Sequence, residues 1–410
     1  MQKPNILLIT VHDLGDYLGC YNYDSVESPN LDRIASEGVR FTKHFTTGVY
    51  CSPGRSSIVT GLHPHVNGLQ GLVNRGWRLK PDVKTLPQLL KDSEYTSVLI
   101  GFQHEAPPKD IDRLGYDEYI KGDSNRLNDI APLAIDFFNS RAKEIGPWYV
   151  SLGTYEVHNP YDAYESLDPE KVILPDYVPD CPEAREDMAG FQGAIKHMDT
   201  KIGEILTALD KNGLSENTIV IFTTDHGPAW PRGKCTTYDP GLKCALLVRY
   251  PEKFKSSSTV NTMTSHVDIA PSILEMIGVT PSVDFEGVSF APALRGEAYE
   301  PREYIFAEDL PTRTIRTEKF KYTCNFKNDH KIVIAGWLKN RPYAHEFSEE
   351  WSPLPPVELY DLENDHLERH NLAMDPEYKT ICDDLHNKLF KWLENTNDEI
   401  LKGIVPDFEK

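Results

Sequence analysis

Cys51-Ser52-Pro53-Gly54-Arg55 concentrates the most reactive chemistry in the chain, and Ser56-Ser57-Ile58-Val59-Thr60-Gly61 follows it at once. The pattern predicts a cysteine at a strand-to-helix junction. Pro53 suits a first helical turn, where its missing N–H is an orphan in any case, and Gly61 suits the C-terminal stop. Cys51 then lies near the positive end of a short helix, with Arg55 about one turn on and able to point back at it. On residue types alone, Cys51 is either a buried structural thiol, the usual state of a free cysteine, or a thiolate nucleophile.

His12-Asp13, His104, His158 and Asp225-His226 supply further imidazoles and carboxylates, each just after a predicted strand. Two acidic residues and several imidazoles converging on one sheet edge would make a metal site. Taken singly, each has a plainer reading. Asp13 and Asp225 would serve as helix N-caps, His158 before Asn159-Pro160 as a turn residue, and His197 as a solvated or core imidazole on a long helix. Their shared position at strand ends favours the site.

The elements that must position them follow from periodicity. Residues 5–10 and 217–223 are continuous apolar runs with the look of buried parallel strands. Further strands are predicted at 39–46, 96–100 and 148–153. Helices are predicted from Ser28-Pro29 to Gly38, at 85–91 and 128–143, and from Pro182 to Asn212 before Gly213. Alternating strands and helices imply an α/β fold, a large mixed sheet sandwiched by helices, and polar groups at the carboxyl ends of its strands lie where such sheets place sites. Near residue 300 the texture changes to short antiparallel strands at 304–307, 312–317, 320–326 and 358–361. Residues 327–356 between them are irregular, and a helix closes the chain at 378–395. We therefore expect two domains, 1–298 as the α/β unit and 299–410 as a smaller α+β unit of antiparallel sheet plus helix.

Composition bounds the partners. At 410 residues two domains are the prior, and 40% hydrophobic with 26% charged residues describes an ordinary globular chain. A net charge of −20, from 43 basic and 63 acidic residues, argues against nucleic acid and anionic membranes. Any anionic ligand must be held by a few placed cations. Seven scattered cysteines without a C-x-x-C pair argue against a zinc cluster or disulfide framework. No apolar run of ~18 residues predicts a membrane helix. Met1-Gln2-Lys3-Pro4-Asn5 enters a strand without a signal-like region. The expectation is a cytoplasmic protein or, if a signal peptide has been removed, a periplasmic or secreted one; a homodimer is left open.

C-x-P-x-R at 51–55 is the signature of type I sulfatases, and the chain resembles the sulfatase branch of the alkaline phosphatase superfamily over nearly its whole length. The matching pieces include Pro4 to Ile9, His12-Asp13-Leu14-Gly15, Ser28-Pro29-Asn30-Leu31-Asp32 and Phe222-Thr223-Thr224-Asp225-His226-Gly227. They continue with Lys234, Tyr238-Asp239-Pro240-Gly241, Asp268 to Glu275, Glu358-Leu359-Tyr360-Asp361 and Asn371-Leu372-Ala373. Leu174 to Arg185, Asn67-Gly68 with Gly71-Leu72, and the ending from Asp375 to Trp392 are most similar to N-sulfoglucosamine sulfohydrolases, the sulfamidases.

The resemblance implies an alkaline-phosphatase-like sheet and a hydrolase of sulfuric esters or sulfamates. In it Cys51 is oxidised to formylglycine (3-oxoalanine) by a formylglycine-generating or anaerobic sulfatase-maturing enzyme. Asp13, Asp225 and His226 would bind one divalent metal together with the modified residue 51, and His12 stands at a further ligand position. Arg55 would stabilise the formylglycine hydrate, while Lys234, His104 and His158 would hold sulfate and assist the leaving group. The substrate implied is a sulfated mono- or oligosaccharide, foremost N-sulfoglucosamine at a heparan-type terminus. The alternatives are an O-sulfatase on another sulfated sugar, a phosphodiester or phosphonate monoester hydrolase, or a glycan-binding pseudoenzyme if Cys51 stays unmodified. Two departures stand out. Many sulfatases have Asp-Asp where His12-Asp13 stands, which moves the metal from calcium toward manganese or zinc. They commonly have lysine where Phe102 stands, which removes one cation from the sulfate pocket. Leu174–Arg185 and 327–356 are expected to wall that pocket.

Overall fold

The computed structural model describes residues 3–140, 142, 144, 146–347 and 353–408. In chain order the strands are β1 (Asn5–Val11), β2 (Val39–Phe45), β3 (Thr96–Gly101), β4 (Glu118–Ile120), β5 (Trp148–Gly153), β6 (Thr218–Thr224) and β7 (Lys243–Arg249). After these come β8 (Ser258–Val260), β9 (Thr264–Ser265), β10 (Tyr304–Asp309), β11 (Thr312–Thr317), β12 (Phe320–Asn325) and β13 (Val357–Asp361). The large sheet has the order β4-β3-β5-β1-β6-β7-β2-β8, with β9 also on β2. From β4 to β6 it is parallel; β7 runs against both β6 and β2.

β1 is buried along its whole length because both faces of the sheet are covered. Leu7, Ile9 and Val11 face one layer, with buried side chains from the helices Pro29–Glu37, Leu127–Ser140 and Pro182–Lys211. Ile6 and Leu8 face the other, with Ile58 and Val59 of the helix Cys51–Thr60 and Ile269 and Ile273 of the helix Ile269–Met276. The period-two alternation of strand side chains produces this division. The expected helix at 85–91 is Leu86–Leu90, capped by a reciprocal Thr85–Gln88 box and followed by a short 3-10 turn. The helix expected over 128–143 ends at Ser140; Arg141 and Lys143 lie outside the described residues.

The second sheet is four-stranded and antiparallel in the order β10-β11-β12-β13, with the helix Lys379–Asn395 against it through Leu385, Leu389 and Leu393. It is tied to the large unit by buried charges. His65 Nδ1 lies 2.6 Å from Glu308 Oε1, and the wholly buried guanidinium of Arg313 donates from Nη2 to Gln70 Oε1 at 3.0 Å. Glu286 accepts from the backbone N–H of His63 at 2.7 Å and lies 3.4 Å from the indole N–H of Trp392. Both units therefore close on the segment that follows the Cys51 helix.

Candidate active site

β1, β3, β5 and β6 end side by side, and the predicted residues occupy the turns that leave them. Asp13 follows β1 in the left-handed region, with φ of 53°. An aspartate tolerates this conformation better than most residues, and here its backbone N–H donates to Asp225 Oδ1 at 3.0 Å. No helix starts at either residue, so the N-cap reading of Asp13 and Asp225 is replaced by a buried pair of carboxylates at adjacent strand ends.

The helix Cys51–Thr60 begins at Cys51 and stops at Gly61 in the left-handed region, as the sequence predicts. Gly54 explains the fourth residue of the motif: a methyl there would lie 2.3 Å from the Asp225 carbonyl oxygen. The helix thus approaches the end of β6 by backbone contact, carrying Cys51 and Arg55 with it. Arg55 is buried, donates from Nε to Asp225 Oδ2 at 3.1 Å and from Nη2 to the Val11 carbonyl at 3.1 Å, and lies 4.9 Å over the Phe102 ring. Its side chain is anchored on Asp225 and β1, and its charge still acts on Cys51.

Ligand atoms of His12, Asp13, Cys51, Asp225 and His226 all lie within 4.8 Å of one another, every one of them buried. Lys234 donates from Nζ to both oxygens of Asp13 at 2.9 Å. His158 Nε2 is 3.9 Å from Asp13 Oδ2, and its ring stacks on Tyr155 at 4.5 Å. His104 completes the rim, with its ring 5.6 Å from that of Phe102 and with Nδ1 unpaired among the described residues. All the sequence-predicted residues therefore meet here, while His197 lies apart against Tyr164.

Tautomers follow from the hydrogen bonds. His226 Nδ1 lies 2.8 Å from the Gly227 carbonyl, which requires the proton on Nδ1. Nε2 then carries a lone pair, is buried without a hydrogen-bond partner among the described residues, and faces Asp13 Oδ1 at 3.4 Å and Asp225 Oδ1 at 3.6 Å. A bare lone pair between two carboxylates fits a bound cation. His12 Nδ1 is 2.5 Å from Asp13 Oδ1 and 3.4 Å from Asp225 Oδ2. With its proton there, His12 orients Asp13; without it, the same atom is a ligand.

Burial works against every charge in the cluster, and the partners decide the outcome. It would raise the Asp13 carboxyl, but Lys234 and the imidazoles of His12, His158 and His226 hold it well below the usual carboxylate range. Burial would lower Lys234, and Asp13 keeps its ammonium charged. Burial lowers His12 to about 3 and, with Arg55 helping, His104 to about 4. Burial pushes the Cys51 thiol up to about 12 against the pull of Lys234, which disfavours a thiolate there.

Sequence reasoning missed the aromatic lining. Tyr155 flanks His12 and His158 in space, and Tyr161 is buried close enough for the charges of Asp13 and Lys234 to act on it. Their only signal was proximity to His158 in the chain. Of the two segments expected to wall the pocket, 327–356 brings Trp337 beside Tyr161. The Leu174–Arg185 segment sets Tyr177 against Tyr17, 2.5 Å between hydroxyls, beside a different cavity of about 190 Å³. No helix among the described residues is long and apolar enough to cross a membrane.

Residues 4–279 match the Sulfatase family, and residues 232–395 match the family described as N-sulphoglucosamine sulphohydrolase, C-terminal. An ulvan-active sulfatase of Formosa agariphila is 30% identical over 98% of this chain and 82% of its own length. The human N-sulphoglucosamine sulphohydrolase is 26% identical over 96% of this chain and 90% of its own. The crystal structure of the phosphonate monoester hydrolase of Agrobacterium radiobacter superposes with a TM-score of 0.76 at 21% identity, covering 97% of each chain, and so shares the fold. With the Sulfatase match spanning well over half of the chain, this protein belongs to the sulfatase family and is a sulfuric ester or sulfamate hydrolase.

Proposed function

We propose that the protein removes sulfate from a sulfated saccharide, foremost N-sulfoglucosamine of heparan-type fragments, at the cluster around Cys51. The observation that carries this reading is the meeting of Cys51, Arg55 and Lys234 with four potential metal ligands in one buried site. Residues 1–298 would form the catalytic unit and 299–410 the smaller one. The N-sulphoglucosamine sulphohydrolase match over 232–395 and the human relative support the N-sulfated substrate. The ulvan-active relative supports a second reading, an O-sulfatase on another sulfated glycan.

His12, Asp13, Asp225 and His226 would hold one divalent ion, calcium by resemblance or manganese or zinc given the two imidazoles. When bound, the ion would neutralise the sulfate and favour ionisation of the attacking hydroxyl. Cys51 would be present as formylglycine, whose hydrate carries two hydroxyls on one carbon. That second hydroxyl is what a plain serine or cysteine lacks for release of a covalent sulfate. Arg55, fixed by Asp225, stabilises the hydrate, and Lys234 holds a sulfate oxygen. His158 keeps its Nδ1 proton on the Asn159 carbonyl at 2.6 Å, leaving Nε2 to take up a proton and deliver it to the leaving oxygen or amine. His104 holds the sulfate from the other side.

The test is a desulfation panel of N-sulfated glucosamine, O-sulfated sugars and an aryl sulfate. It is paired with intact mass, which conversion of Cys51 lowers by about 18 Da. Release of N-sulfate supports the first substrate and release of O-sulfate alone supports the second. An unmodified Cys51 without turnover of any substrate would leave a glycan-binding pseudoenzyme.

A further inference from the structure

Phe102 is 9% exposed, yet among the described residues its ring belongs to none of the apolar clusters that build the interior. It stands among polar groups instead. Its centre is 4.9 Å from the guanidinium carbon of Arg55, 5.6 Å from the rings of His12 and His104, and 5.7 Å from that of Tyr155. Burial ordinarily sets a phenyl ring on aliphatic neighbours, so this position has another cause.

The backbone puts the ring there. β3 and β5 end in two glycines that stand opposite each other, Gly101 and Gly153. Gly101 has φ of 84°, and a methyl on it would lie 2.6 Å from the Gly153 carbonyl oxygen. A methyl on Gly153 would lie 1.9 Å from the Phe102 carbonyl oxygen and 3.5 Å from Arg55 Nη1. Neither position has room for a side chain. The chain therefore leaves β3 folded tightly across the end of β5, pinned by the Phe102 N–H, which donates to the Gly153 carbonyl at 2.8 Å. This crossing carries Phe102 out of the apolar layers and onto Arg55.

The hydrogen bonds of Arg55 hold its guanidinium by the edge, with Nε on Asp225 Oδ2 and Nη2 on the Val11 carbonyl. Donors that lie in the guanidinium plane leave its flat faces open. An aromatic face within about 6 Å attracts a cation, and more strongly where water is excluded; Arg55 is buried. Cys51 and Arg55 are four residues apart on one helix and so share a face of it. A guanidinium that tilted off the ring would shift its charge relative to residue 51. We propose that Phe102 is the positioning residue of Arg55: its ring face fixes the tilt of the guanidinium that Asp225 and Val11 hold by the edge, and so keeps the charge aimed at residue 51. The aim matters in the reaction step and not in substrate capture, so Phe102 acts on kcat. This rests on the sulfatase reading above, in which Arg55 stabilises the hydrate.

The experiment replaces Phe102 by mono-, di- and trifluorophenylalanine, and separately by leucine. Fluorine draws electrons from the ring face with little change of shape, so the series weakens the cation contact and keeps the packing. Two readouts are taken: kcat and KM for a small aryl sulfate, and Tm of the protein after chelation of metal. The kcat is expected to fall stepwise, reaching about tenfold below wild type in the trifluoro variant and in Phe102→Leu, with KM within about twofold. Tm should fall in the same order, and in an Arg55→Met background the fluorines should leave it unchanged. A flat fluorinated series with only Phe102→Leu impaired would overturn the proposal and make Phe102 apolar filling. So would a fall in Tm with kcat unchanged, or a Tm series of equal size without Arg55. A wild type that releases sulfate from no substrate would instead bring down the sulfatase reading; the Tm series then decides the contact with Arg55 by itself.

Discussion

Lys234 donates to both oxygens of Asp13, so one carboxylate serves both the ammonium and the candidate cation site. A cation held by Asp13 would compete with Lys234 for those oxygens and leave the ammonium available to an anion. Replacing Lys234 by methionine is therefore expected to lower kcat/KM for sulfate release by about 100-fold, while divalent-ion binding is kept or strengthened. Steady-state kinetics with calorimetric metal titration separates the two effects; loss of metal binding would make Lys234 a structural residue.

Asp225 carries a different load, because it is the ion partner of a guanidinium that is only 2% exposed. In Asp225→Ala, Arg55 keeps its desolvation cost without its counter-charge, a loss of about 3–5 kcal/mol in stability. Thermal unfolding should show the fall, and the rise in Tm that a divalent ion gives the wild type should vanish. A variant with unchanged Tm and stoichiometric metal would place the ion elsewhere.

His12 offers a single-residue test of metal choice. A carboxylate there would give the site one more hard oxygen donor in place of a nitrogen. His12→Asp is expected to shift the ion that best stabilises the protein from manganese or zinc toward calcium, read as a reversed order of metal-induced Tm shifts after chelation.

Glu286 supplies a pH signature away from the site. Burial alone would raise its carboxyl, but the neighbouring His63, by charge and hydrogen bonds, lowers it from 4.5 to about 2. A carboxyl held lower in the folded state stabilises it fully above pH 4.5, and that contribution is lost as pH falls through 2. Linkage puts the contribution at roughly 3 kcal/mol near neutrality. Glu286→Gln should accordingly destabilise at pH 7 and approach the wild type toward pH 2, measured as urea midpoints across the range.

Strands β1 and β6 and the Cys51 helix were legible because each carries a local signal: an unbroken apolar run, or a proline at the first turn and a glycine at the stop. β7 was not assigned. Cys244 to Val248 is a short apolar run, and periodicity cannot separate a buried strand of this length from a buried helix segment. Its reversed direction depends on which neighbours it meets. The three-residue edge strand β4 is too short to show alternation. In the site, residues at strand ends could be placed from sequence because a parallel sheet brings its carboxyl ends together. The contact between Tyr161 and Trp337 could not, since 176 residues separate the two and no pattern links them.

The burial of Cys51 is completed by residues that the ribosome makes much later. Lys234 lies 183 residues beyond Cys51, and the Asp225 carbonyl that seats Gly54 is nearly as far. At about 5–20 residues per second, roughly 10–35 s pass between the emergence of Cys51 and that of Lys234. Until those residues are made the contacts that bury Cys51 cannot form; in the folded protein it is buried. If residue 51 is converted as proposed above, the modifying enzyme would have to reach it in the growing or unfolded chain, and slower synthesis of residues 52–234 would then raise the modified fraction.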